Sequence, residues 1–178
     1  GLVGSEMCIR DRPTPMSRQL AKLQWIPGII RHWLMNYILR RQVPFIHTAG
    51  ARFDKVTQQE VIVHIPNKHK AQNHIHGIHA CATALICETA SGFVTMMNCP
   101  KDKLLLLKAL NIKYIKVSTG GQSAIAHFSD EMAATIAREE KGSFVVPVTV
   151  HDEKGNEPVI AELIWAWVPK KSVSTLKA

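Results

Sequence analysis

The sequence predicts an α+β fold in which an antiparallel sheet wraps around one long central helix, with an extra N-terminal amphipathic helix ahead of it. Three observations carry this reading. Residues 78–97 are apolar or small on nearly every side, and a helix with no polar face has to be buried all round. Strand-like runs follow at 112–118, 123–129, 143–152 and 158–168, and a hairpin pattern at 49–56 and 59–66 precedes it. Several antiparallel strands and one helix that is apolar on all sides share a core most simply when the sheet curls around that helix. Such a sheet leaves an edge to be covered, so self-association is expected.

Composition bounds the answer. The chain has 178 residues, 46% of them hydrophobic and 20% charged, which suits one globular unit and excludes a disordered or collagen-like chain. Its net charge of +8 favours a polyanionic partner: nucleic acid, anionic lipid or a phosphorylated small molecule. Nucleic acid is not expected as a partner, because aromatic residues make up only 6% and are not interleaved with basic ones.

Residues 1–15 have no helical or strand period and read as a non-native or disordered leader. They lack the apolar run of a secretory signal, so a cytoplasmic protein is expected. The N-terminal helix is placed within 16–44, the main domain at 45–170 and a flexible tail at 171–178. Over 24–41, Ile29, Ile30, Trp33, Leu34, Tyr37 and Ile38 recur at helical spacing. Pro27 fits the first turn, and Pro44 follows the end. The apolar face is expected to pack on the sheet rather than on a membrane.

In the second strand of the hairpin, Val61, Val63 and Ile65 alternate with Ile62 and His64. A polar loop, NKHKAQNHIHG, leads into the central helix. That helix has the length of a membrane span, about 20 residues. Glu88 at its middle, with Thr83, Thr89, Ser91 and Thr95 around it, argues for a buried helix and no integral membrane segment. Residues 104–110 read as a short helical stretch and 130–141 as a helical or loop insertion. Gly120-Gly121 and Lys154-Gly155-Asn156 mark turns between strands. Without the leader the cysteines are Cys81, Cys87 and Cys99, an odd set with no C-x-x-C pair, and they read as reduced, mostly buried thiols.

The chemistry concentrates around the start of the central helix. Asn73 is followed four residues on by Gly77, then by His79-Ala80, and nine residues beyond His79 by Glu88. With this spacing the chain resembles the hotdog-fold acyl-CoA thioesterases, especially the phenylacetate-pathway and hydroxybenzoyl-CoA types. It is most similar to a hotdog group with an N-terminal helix and a Pro-Phe before the first strand, as in Val43-Pro44-Phe45. The resemblance in element order covers roughly residues 33–169. It implies hydrolysis of an acyl-CoA thioester without a cofactor, at a site shared across a dimer or dimer of dimers.

The residues can be read beside that resemblance. Ala80 falls in the first turn, where backbone N–H groups lack intrahelical partners and the helix dipole is positive, which makes an oxyanion site. A fixed donor there stabilises a tetrahedral transition state by about 3 kcal/mol. Glu88 is the expected general base or nucleophile, its pKa raised by burial. At about 100° and 1.5 Å per residue, His79 and Glu88 point in opposite directions and lie roughly 13 Å apart along the axis. They meet only if antiparallel helices of two subunits lie side by side.

Asn73 is assigned to orient water or the acyl group, and His79 to hold the helix start or line the thioester pocket. Gly77, Thr89, Ser91 and Gly92 are the candidate substrate contacts. His74, His76 and His79 lack an Asp, Glu or Cys in their loop to complete a ligand set, so no metal is expected. Lys68, His69, Lys70, Lys101, Lys103, Lys113 and Lys116 read as a solvated face from which some could meet coenzyme A phosphates. The better-studied families carry His-Gly-Gly where this chain has His79-Ala80-Cys81, which narrows backbone approach to the thioester. A non-catalytic acyl or acyl-CoA binding module is therefore the alternative reading.

Overall fold

A computed structural model of the chain describes residues 14–22, 25 and 27–170. Its helices are α1 (Pro15–Ala21), α2 (Gly28–Gln42), α3 (Pro44–Ala49), the central α4 (Ala80–Asn98) and α5 (Asp130–Arg138). The strands are β1 (Arg52–Val56), β2 (Glu60–Ile65), β3 (Lys103–Tyr114), β4 (Gln122–His127), β5 (Gly142–Asp152) and β6 (Val159–Pro169). They form one six-stranded antiparallel sheet in the order β1-β2-β4-β5-β6-β3.

The α+β class and the sheet wrapped around a central helix are as the sequence predicts. Val61, Val63 and Ile65 of β2, Ala124 and Ala126 of β4, and Leu163, Trp165 and Trp167 of β6 point inward and are buried with Ile86, Ala90, Phe93 and Val94 of α4. Period-two alternation supplies the inner faces of β2, β4 and β6. Phe53 meets Phe93 edge-on, their ring centroids 4.7 Å apart. The strands bury most of α4, a helix long and apolar enough to cross a membrane by length and composition.

Three expectations are corrected. Residues 104–110 are not helical but lie in β3, which pairs with β6 from Lys103 opposite Pro169 to Tyr114 opposite Val159, with a bulge between Leu107 and Ala109. The leucine run favours a helix locally, and long-range pairing overrides that preference. Lys103 is buried rather than solvated, because its ammonium donates to the carbonyls of Ile136, Ala137 and Glu139 and so caps the C-terminal end of α5.

The third correction concerns α2. Its predicted apolar face does not pack on the sheet: Ile29, Ile30, Trp33 and Tyr37 are exposed, and Leu39 is the residue of this helix that is fully buried. Asn36 decides the orientation. Its Oδ1 accepts from the Phe53 N–H and its Nδ2 donates to the Phe53 carbonyl, each at 2.7 Å. The amide thus occupies both backbone groups of a residue on edge strand β1, and the helix rolls to bring it there.

The leader up to residue 13 and the tail 171–178 lie outside the described residues. Thr14, grouped with the leader in the sequence reading, is buried, and its hydroxyl donates to the Met97 carbonyl of α4 at 2.7 Å. Met16 is buried too.

Candidate active site

The loop ahead of α4 is built on Asn73. Its Oδ1 accepts from the N–H groups of Ile75 and Gly77, both at 3.0 Å, and its own N–H donates to the Gly77 carbonyl at 2.8 Å. His76 sits in the left-handed region at φ 62°, a conformation that histidine tolerates better than most non-glycine residues. Asn73 is therefore occupied by its own loop, and Gly77 supplies two of the loop's bonds. His79 is the N-cap: its Nδ1 accepts from the Cys81 N–H at 3.1 Å. The imidazole replaces the usual Ser or Asp oxygen at that position.

These contacts leave one donor over. The Ala82 and Thr83 N–H groups donate to the His79 carbonyl and the Cys81 N–H to its ring, while the Ala80 N–H has no partner among the described residues. The hydroxyl of Tyr114, at the end of β3, donates to the Ala80 carbonyl at 2.7 Å and holds this peptide in place. A cavity of about 160 Å³ lies against the helix start, lined by Asn73, Gly77, Ala80, Tyr114, Lys116 and Gln122 among others. At its base the buried Thr83 hydroxyl donates to Gln122 Oε1 at 2.6 Å.

One wall of this cavity, including Val117 and Ser118, belongs to the loop between β3 and β4, which Asp152 organises. Its carboxylate accepts from the Thr119, Lys154 and Asn156 N–H groups at 2.9–3.0 Å. Burial acts to raise the Asp152 pKa, but these donors and the Asn156 side chain outweigh it and hold the carboxyl at about 2.

Glu88 lies eight residues past Ala80 on the same helix, about 12 Å along the axis. Most of α4 from Leu85 onward is buried, whereas Ala80, Cys81, Ala84 and Glu88 are exposed or half-buried. They form an open stripe of small side chains that ends at the acid. Burial raises the Glu88 carboxyl above its ordinary value, opposed by the Thr89 hydroxyl 3.5 Å from Oε2. Cys87 and Cys99 are pushed up to about 12 and about 11, chiefly by burial. Both stay thiols at neutral pH and are poor nucleophiles.

Ser91 and Gly92 sit on the closed side of the helix. The Ser91 hydroxyl donates to the Cys87 and Glu88 carbonyls and accepts from the Trp165 indole N–H at 2.9 Å. A methyl group on Gly92 would lie 2.8 Å from the Trp165 ring, so this glycine is what lets the indole lie against the helix. His74 and His76 are exposed, and among the described residues no three His, Cys, Asp or Glu side chains converge to hold a metal ion. The structure thus gathers Asn73, Gly77, His79 and Ala80 at one end of the helix and leaves Glu88 separate. It adds Tyr114 and Gln122, which no local spacing marks because their partners are 34 and 39 residues away, and Asp152, which ties its own turn at Lys154 and Asn156 to Thr119, 33 residues earlier.

Residues 31–168 match the model of a family described as a domain of unknown function, DUF4442. The chain belongs to the DUF4442 family. No curated protein matches it. Among solved structures it is similar to PA5026 of Pseudomonas aeruginosa, described as a protein of unknown function and probable thioesterase. The TM-score is 0.69 at 15% identity, covering 76% of this chain and 94% of that one. It is also similar to a mutant (Q49A) of thioesterase PA1618 from the same organism, with a TM-score of 0.62 at 14% identity over 82% and 97% of the two chains. A third is thioesterase HI1161 of Haemophilus influenzae, with a TM-score of 0.58 at 12% identity over 70% and 82%. At these identities the likeness establishes the fold, and this DUF4442 chain has the hotdog architecture of the thioesterase-family structures.

Proposed function

We propose that this DUF4442 protein is an acyl-CoA thioesterase that works as a homodimer, or a dimer of dimers, with each site shared between two protomers. The observation that carries the reading is the open stripe on α4, where a half-buried carboxyl shares a helix face with the unpartnered Ala80 N–H. Buried carboxylates are costly, and on an otherwise apolar helix such a group points to chemistry. The separation of about 12 Å within one helix is too long for a single carbonyl group to touch both. A second helix laid antiparallel along the stripe of Ala80, Cys81 and Ala84 would bring the acid of one protomer beside the helix start of the other. Free edge strand β3 is open to such pairing.

In this reading the water oxygen bonds to the thioester carbonyl carbon while Glu88 takes the water proton. The carbonyl electron pair moves onto oxygen, and the Ala80 N–H at the helix terminus holds the oxyanion. Collapse re-forms the carbonyl and breaks the carbon–sulfur bond. The departing thiolate takes the proton back from Glu88, which yields free acid and coenzyme A. Tyr114 positions the Ala80 peptide, and Lys116, which lines the cavity, is assigned to meet substrate phosphate.

The test is thiol release from short, medium, long and aromatic acyl-CoAs by the wild type and Glu88→Ala. Release that depends on Glu88 supports the proposal, and equal release by both proteins overturns it. The resemblance to families with His-Gly-Gly keeps the second reading in view, since Ala80 and Cys81 narrow the approach to the peptide. Tight acyl-CoA binding with no thiol release would identify the non-catalytic module.

A further inference from the structure

The exposed face of α2 has no role in the hydrolytic reading. Trp25, Ile29, Trp33 and Tyr37 follow one another at four-residue intervals and are 94%, 89%, 67% and 50% exposed. Ile30 beside them is also exposed. Within α2 the Ile29, Trp33 and Tyr37 side chains lie four apart and share one helix face, an exposed apolar ridge larger than scattered exposure explains, and Trp25 is exposed ahead of the helix.

At the C-terminal end of the ridge the surface becomes cationic. The Trp33 and Tyr37 rings stack with centroids 5.8 Å apart, and with Arg40, Arg41 and His47 they line a cleft of about 430 Å³ between α2 and α3. Arg41 donates to the Tyr37 hydroxyl at 3.0 Å. The Arg40 Nε is buried with no hydrogen-bond partner among the described residues, and its Nη2 donates to the His47 carbonyl at 3.4 Å. From Pro13 to Phe53 the chain carries Arg18, Lys22, Arg31, Arg40, Arg41 and Arg52 and no Asp or Glu, with Arg52 paired to Asp54 at 2.9 Å. Most of the net charge of +8 therefore resides in this one segment.

We propose that α2 docks the protein on an anionic phospholipid bilayer, with the Ile29–Trp33–Tyr37 ridge and the exposed Trp25 in the interface and a lipid phosphate held by Arg40 and Arg41. Exposed Trp and Tyr with Arg beside them is the residue chemistry of membrane–water interfaces. The excess of cations complements the negative potential of such a membrane. A second copy of the chain has a different candidate surface: α2 rests on β1, and the unpaired edge of β3 lies at the other end of the strand order. The inference stands apart from the thioesterase reading, because none of its residues lines the cavity at the start of α4.

The full chain is sedimented with vesicles of phosphatidylcholine alone and of phosphatidylcholine mixed with phosphatidylglycerol, while tryptophan emission is recorded. Trp165 and Trp167 are already buried, so a blue shift on binding reports Trp25 and Trp33. Expected are binding to the anionic vesicles only, a blue shift, and loss of binding with added salt. Trp25→Ser with Trp33→Ser, both on the surface, should abolish the binding. Arg40→Gln with Arg41→Gln should weaken it by about thirtyfold, at the strength of one surface cation each. Absence of binding to anionic vesicles overturns the proposal. So does binding that the tryptophan pair leaves unchanged, a lower oligomeric state in that pair without vesicle binding, or competition by inorganic phosphate as strong as that by vesicles.

Discussion

The two halves of the central helix use the same kinds of residue to opposite ends. From Ala80 to Glu88 small side chains leave one stripe uncovered, with a carboxyl at its end. From Thr89 onward small and hydroxyl residues close the helix against the sheet: Ser91 takes the Trp165 N–H, Gly92 admits its ring, and the Thr95 hydroxyl donates to the Ser91 carbonyl. A small residue is a gap in both halves. In the second half a side chain of the same protomer fills the gap, and in the first none does.

The contrast is open to experiment. The largest effect belongs to Glu88→Gln, expected to lower kcat for thioester hydrolysis by about a hundredfold or more, as loss of a general base does. The same change should leave the melting temperature unaltered or higher at neutral pH, as read by calorimetry, because it removes a charge that burial disfavours. A large fall in melting temperature would move Glu88 into the packing half.

Gly92→Ala should do the reverse. The added methyl presses on the Trp165 ring and is expected to destabilise the fold by about 1–3 kcal/mol, measured by denaturant unfolding, while thiol release persists below the transition. Ser91→Ala strands the buried Trp165 N–H and should lower stability by about 1–2 kcal/mol. Hydrolysis should again survive, and loss of turnover in the folded variant would place Ser91 in the site after all.

The smallest and sharpest effect is in pH. Burial raises the Glu88 pKa, so the carboxylate that acts as base appears only as pH climbs past the ordinary glutamate range. The acid limb of the kcat profile should therefore sit above that of a free glutamate. The sign for stability is opposite: the contribution of Glu88 is fully present below its unfolded pKa and is lost as pH rises through the folded one. An acid limb at or below the ordinary value would remove the burial argument.

Much of the fold was legible because burial writes a period into a chain. Val61, Val63 and Ile65 announce β2, and the all-round apolar run announces α4. What failed had weak or misleading local signals. Leu104 to Leu107 favour a helix and form a strand only because β6 pairs with them. The α2 stripe reads as buried, yet the Asn36 amide turns it outward.

Of the candidate site, the sequence by itself determined one local stretch: Ala80 in the first turn of the central helix, His79 beside it, and a carboxyl at position 88 in apolar surroundings. Helix geometry places the first and last, whereas the sequence allows His79 either to hold the helix start or to line the pocket, and the fold makes it the N-cap. Tertiary structure decided which groups were already engaged, giving Asn73 to its own loop, Ser91 to Trp165 and the Ala80 carbonyl to Tyr114. The physical reason is reach, because a hydrogen bond is satisfied by whatever donor the fold brings within about 3 Å, and no period in the sequence records a neighbour dozens of residues away.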